Sequence, residues 1–140
     1  MARGDFFTLE RRKVTIYSSF HPSFQKNPNT GSLAHVTNEN AVKRSLRNLV
    51  LTGIGERFYD SNKGTRIRKS LFEPFDPASL ELVRLQLLNS INTYEPRANP
   101  VDVQIIDNLD VNSITVRITF QIINIVSDPI SIDVFVEKVR

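Results

Sequence analysis

Chemistry in this chain would have to come from carboxylates, a few arginines and two histidines. Two carboxyl groups held roughly 5 to 10 Å apart can hydrolyse a glycosidic bond, one as acid and the other as base or nucleophile. Glu56, Glu73, Glu95 and the aspartates supply the residue type. Any chain of ordinary composition does the same, and sequence positions do not fix a separation in space. His21 and His35 stand 14 positions apart and cysteine is absent, so there is no zinc-ligand spacing and no thiol nucleophile. A phosphate-binding glycine loop and a Gly-x-Ser-x-Gly elbow are missing too. The expectation is a protein that is not an enzyme and carries no catalytic residue, metal or cofactor.

Glu95-Pro96-Arg97 is the most informative local pattern. Opposite charges flank a residue of fixed φ at the point where helical periodicity gives way to alternation. Two readings stand. In one, proline merely ends the helix, Glu95 is solvated and Arg97 covers the last helical carbonyls. In the other, Arg97 offers its planar fork to a partner carboxylate from a stiff corner.

Charge narrows the partners. The net charge of +3 divides into 13 Lys/Arg against 6 Asp/Glu through residue 75, and 5 against 9 beyond it. Scattered charges on a solvated surface account for this, as would a basic face for an anionic polymer. The run Arg11-Arg12-Lys13 lacks the interleaved aromatics of a nucleic-acid module, so no nucleic acid is expected as partner. Met1–Leu9 has no signal-peptide core, and no apolar run approaches the roughly 20 residues of a bilayer span, so membrane insertion is not expected either. The lack of cysteine fits a reducing cytoplasm.

The elements that must position these residues follow from periodicity. Residues 1–36 mix anchors (Phe6, Phe7, Tyr17, Phe20, Phe24) with breakers (Pro22, Pro28, Gly31) and read as an extended arm with a short strand at Val14–Tyr17. Thr37 or Asn38 then caps a helix whose Val42, Leu46, Leu49 and Val50 share one face. Gly53 stops it, and Lys43, Arg44 and Arg47 lie off the stripe, toward solvent or a partner. Thr65 caps a short helix containing Ile67 and Leu71, ended by Pro74. Asp76-Pro77 starts a longer helix, with Leu80, Val83, Leu87, Leu88, Ile91 and Tyr94 in a stripe. From Pro100 alternation predicts three strands: Val101, Val103 and Ile105; Ile114, Val116, Ile118, Phe120 and Ile122; Ile130, Ile132, Val134 and Val136. Phe135 falls on the opposite phase, so the second sheet face is not entirely wet. The fold class is α+β, with a helical N-terminal half packed on a small antiparallel C-terminal sheet of about three strands, which an N-terminal strand can extend. The division is an arm over 1–36 and a single domain over 37–140.

In this order, Ala41-Val42-Lys43-Arg44-Ser45-Leu46-Arg47-Asn48-Leu49, Leu51-Thr52-Gly53-Ile54-Gly55-Glu56-Arg57-Phe58, Gly64, Leu71-Phe72-Glu73-Pro74-Phe75 and Tyr94-Glu95-Pro96-Arg97 resemble the small baseplate wedge family shared by contractile-tailed phages and type VI secretion systems. The resemblance spans about residues 35 to 107. It implies a structural subunit similar to the interlocking domain of tail sheath proteins, placed in the tail baseplate and assembled in the host cytoplasm. Its implied partners are the baseplate wedge core proteins, held through Glu95, Pro96 and Arg97, and the tail sheath protein. Sheath would share strands with those carrying Ile114, Val116 and Ile118, and Ile130, Ile132, Val134 and Val136. The family has also been called lysozyme-like, which keeps a peptidoglycan-cleaving activity as the alternative.

Overall fold

The computed structural model describes residues 15–72, 76–108 and 113–137. Phe6, Phe7, Arg11-Arg12-Lys13, Val14, Glu73, Pro74 and the 109–112 connection lie outside these. The arm's first strand, β1 (Ser18–Phe20), pairs antiparallel with β2 (His35–Thr37). It starts later than the alternation at Val14–Tyr17 suggested because the Ile16 and Tyr17 amides both donate to Asn38 Oδ1, at 2.8 and 3.2 Å, instead of entering a ladder.

Asn38 also gives its own amide to the Tyr17 carbonyl (2.7 Å) and takes a φ of 47°, a left-handed value that asparagine tolerates better than most residues. It therefore ties the arm to α1 (Asn38–Leu51). Thr37 holds the cap position without a side-chain cap bond. The expected stripe is buried: Val42, Leu46, Leu49 and Val50 face the core together with Ala41. Each fully buried side chain of this size contributes about 1.5–3 kcal/mol.

Beyond α1 the chain loops out and returns so that Gly53 and Thr65 form a parallel bridge. Gly64 makes the return possible. Its φ is +149°, and a Cβ there would meet the Thr52 and Gly53 carbonyl oxygens at 2.7 and 2.8 Å. Thr65 was expected to cap the next helix; instead its hydroxyl donates to the Val50 carbonyl in the last turn of α1 (2.8 Å). Arg66 takes the cap position of α2 (Ile67–Ser70), which buries Ile67, with Leu71 buried just after it.

In α3 (Pro77–Tyr94) the Asp76 carboxylate accepts from the Ser79 amide at 3.0 Å and Pro77 opens the first turn. Val83, Leu87 and Ile91 are buried. The final three strands, β3 (Ala98–Asn108), β4 (Ser113–Ile122) and β5 (Ile130–Glu137), form an antiparallel sheet in that order. One face packs on the helices, α3 along β3 and α1 along β5. The opposite face carries Arg117 paired with Asp133 and Thr119 opposite Ser131.

The alternation of β4 is as expected, with Ile114, Val116, Ile118, Phe120 and Ile122 all buried. In β5 Val134 and Val136 are buried, and Ile130 and Ile132 pack against the core partly buried. β3 departs from expectation. A register shift between Pro100 and Asp102 places an extra residue in the strand, so Val103 is buried while Val101 turns out to solvent, 56% exposed. Edge position explains how β3 holds a proline at all.

Candidate functional site

Two regions of this scaffold can recognise a partner. The first is the corner where α3 ends. Pro96 occupies the second position of a turn that is closed by the Ala98 amide donating to the Glu95 carbonyl at 3.1 Å; the fixed φ of proline suits that position. Glu95 and Arg97 consequently lie on one side of the turn. The Arg97 Nε and Nη2 donate to the two carboxylate oxygens of Glu95 at 2.5 and 2.8 Å.

Neither reading of this motif anticipated that geometry. Glu95 is buried, 3% exposed, so it is not a solvated helix end, and Arg97 covers a carboxylate rather than helical carbonyls. Burial pushes the Glu95 carboxyl up; hydrogen bonds from Arg97 and Ser45, with the charges of Arg97 and Lys63, bring it below the ordinary carboxylate range. The Glu95 hydrogen bond in turn raises the Arg97 guanidinium.

Other elements converge on the same corner. The Arg97 guanidinium lies 5.7 Å from the centre of the Tyr17 ring. The Tyr17 hydroxyl donates to the Ile123 carbonyl at 3.0 Å, and the Ile123 amide donates to the Arg97 carbonyl at 2.9 Å. Lys63 sits 5.9 Å from the Tyr94 ring centre. Tyr17, Ser45 and Lys63 carry no spacing signal that would have linked them to residues 95–97. About a third of the Arg97 side chain, 31%, remains open to solvent.

The second region is the free edge of β5. β4 is the central strand, hydrogen-bonded to β3 and β5. Ile114, Val116 and Ile118 thus sit in the buried middle of the sheet, and their strand has no edge to share. Among the described residues β5 pairs on one side only, with β4, and cavities flank its other side. One, of about 560 Å³, lies between Ile132–Val134 and the Asn40, Lys43, Arg44, Arg47 and Asn48 face of α1. The next, of about 510 Å³, lies between Phe135–Glu137 and Leu51, Arg68, Leu71 and Phe72. Phe135, about half exposed, forms part of that wall.

Several of the described carboxylates are already engaged within the fold. Glu56 accepts from the Gly53 amide at 2.9 Å and faces Arg68 at 3.5 Å. Asp76, Glu81, Glu95 and Asp133 are all displaced downward in pKa by hydrogen bonds, the reverse of what a general acid needs. Glu73 lies outside the described residues. No group of three metal-ligating side chains occurs among the described residues. Bare apolar surface is plentiful: Phe58 and Tyr59, in edge-to-face contact, protrude almost fully exposed from the 53–65 loop, and Leu82 and Leu85 lie on the outer face of α3.

Known proteins share the fold and part of the sequence. Residues 36–125 match the family described as baseplate wedge protein gp25. The chain is 26% identical over 109 residues to the baseplate wedge protein gp25 of Enterobacteria phage T4, covering 78% of this chain and 82% of that protein. It superposes on a chain of the six-fold symmetrised baseplate of the anti-feeding prophage with a TM-score of 0.66 and 28% identity, over 79% of this chain and 88% of that one. A candidate tail lysozyme from Geobacter sulfurreducens has the same fold, with a TM-score of 0.64 at 16% identity, over 73% of this chain and 92% of that one.

Proposed function

Because the chain belongs to the baseplate wedge protein gp25 family, and is a structural component of the baseplate of a contractile tail or related particle, we propose that it joins the wedge core to the first tail sheath subunits. In this reading Glu95-Pro96-Arg97 docks on wedge core proteins and β5 takes up a strand of sheath. Residues 1–36 act as an arm on the 37–140 wedge domain, and assembly takes place in the host cytoplasm before the particle is complete.

The observation that carries the reading is the edge of β5 that is left open among the described residues. A strand with one ladder filled and a groove along the other side offers unpaired backbone donors and acceptors to an incoming strand. Pairing through backbone groups is tolerant of partner side chains, as a platform for a repeating sheath requires. The corner supports the second contact. Arg97 is held by Glu95 and Tyr17 while about a third of its side chain is open to solvent, so a docking partner meets a cation already oriented.

Co-expression tests both contacts. Wedge core proteins are captured by wild type and lost with Arg97→Lys, which keeps the charge beside Glu95 and loses the planar fork. Sheath polymerises on baseplates containing the chain and fails on those without it. Equal capture by a folded Arg97→Lys variant, or sheath growth indifferent to the subunit, would remove the corresponding contact.

A further inference from the structure

We infer that the sheath segment received by β5 is acidic, with carboxylates at alternate positions aimed at α1. The inference rests on the reading that β5 shares a strand with sheath, and adds the chemistry of that strand. The two cavities beside β5 follow one another in the same direction along β5 and along α1, with the strand as one bank of the groove and the helix as the other, and His21, Pro22 and Val36 of the arm also line its first part.

The helix bank is basic at helical spacing. Arg47 lies one turn on from both Lys43 (i+4) and Arg44 (i+3), so each of them neighbours it on the helix surface, and all three line the groove. Lys43 has a surface ion pair with Glu39 and Arg44 donates to the Phe20 carbonyl. Arg47 is exposed and makes no hydrogen bond or ion pair with the described residues. The one carboxylate on the facing stretch of β5, Asp133, is already held through both its oxygens by Arg117, so it leaves the charge of Arg47 uncompensated.

A strand added to β5 alternates its side chains. Every second one points to the helix side, at intervals of about 6.7 Å. One α-helical turn of four residues rises about 6 Å, so successive inward side chains fall near Lys43 or Arg44 and then Arg47. Carboxylates there gain charge-assisted hydrogen bonds, and lysines there meet like charge.

The test measures binding of the purified sheath subunit of the same tail to the full chain, with wild type, Arg47→Gln and Arg47→Glu compared. Backbone amides of Ile132–Glu137 are followed by NMR. Arg47 is exposed, so both variants stay folded. Expected are shifts confined to β5 and α1, affinity that falls with salt, and an Arg47→Glu loss of about tenfold at low salt shrinking below about threefold near 0.5 M. Arg47→Gln falls between, and an acid-to-lysine change at one alternate position of the sheath segment restores Arg47→Glu. Salt-independent binding that is equal in all three variants overturns the acidic strand and leaves strand sharing intact. Absence of binding and of β5 shifts in wild type overturns both, and loss in Arg47→Glu without β5 shifts places the contact elsewhere and overturns the inference.

Discussion

Replacing Arg97 by methionine removes both hydrogen bonds to Glu95 and strands a carboxylate that is 3% exposed. Breaking a buried ion pair from one side costs about 3–5 kcal/mol. The lower end applies, since a third of Arg97 is open to water and Ser45 and Lys63 remain beside Glu95. We expect a loss of about 3 kcal/mol at pH 7, read as a lower urea midpoint and a fall in Tm of about 6–12 °C for a chain of this size.

The sign of the pH dependence separates this cause from a simple packing defect. In wild type the folded pKa of Glu95 is below its ordinary value of 4.5, so its contribution is full above that value and is lost as pH falls through the depressed folded pKa. With Arg97 gone, burial outweighs the remaining partners and raises the folded pKa. The variant should then gain stability relative to wild type as pH falls through its raised folded pKa to 4.5, gain further below 4.5 as wild type loses the contribution of Glu95, and lose this advantage as pH rises. The double variant Glu95→Leu/Arg97→Met, which buries no charge, should be more stable than Arg97→Met alone. Urea titrations at pH 4 and 7 decide the matter. An Arg97→Met loss under about 1 kcal/mol, or one independent of pH, would refute the reasoning.

Gly64→Ala pushes a Cβ against two backbone carbonyls at under 3 Å and should destabilise by about 2 kcal/mol or more by denaturant melts. Asp76→Ala removes the acceptor for the Ser79 amide and should cost about 1 kcal/mol in the same assay. Phe58→Ser/Tyr59→Ser alters residues with almost no contact to the fold, so Tm should move by less than about 2 °C, while capture of baseplate partners, measured by pull-down, declines. Purified chain should release no soluble fragments from peptidoglycan; release abolished by Glu95→Gln or Glu56→Gln would reinstate the hydrolytic alternative.

Periodicity carried most of the fold into view because the elements concerned bury one face each. The α1 stripe, the Asp76-Pro77 start of α3 and the alternation of β4 are all local patterns that tertiary packing rewards. Expectation failed where a residue's polar group found a distant partner. Of the two residues offered as the α1 cap, Thr37 holds the position while Asn38 accepts from the arm, and Thr65, expected to cap α2, donates back to α1. Alternation likewise misjudged Val101, since a one-residue bulge reverses the phase without any mark in composition. At the corner, Glu95-Pro96-Arg97 stood out by charge and rigidity. Its internal pairing was hidden, because the burial that makes Glu95 and Arg97 partners comes from Tyr17, Ser45 and Ile123, far away in sequence.

The open edge of β5 also bears on the time before assembly, when copies of the chain meet one another in solution. Two such edges laid side by side would complete each other's ladders, a route to unproductive pairs. That approach would bring the Lys43, Arg44 and Arg47 bank of one copy toward the same bank of the other, where like charges repel. The basic bank of the groove would thereby keep unassembled subunits apart, and the order of construction would be written into the charge of a single helix.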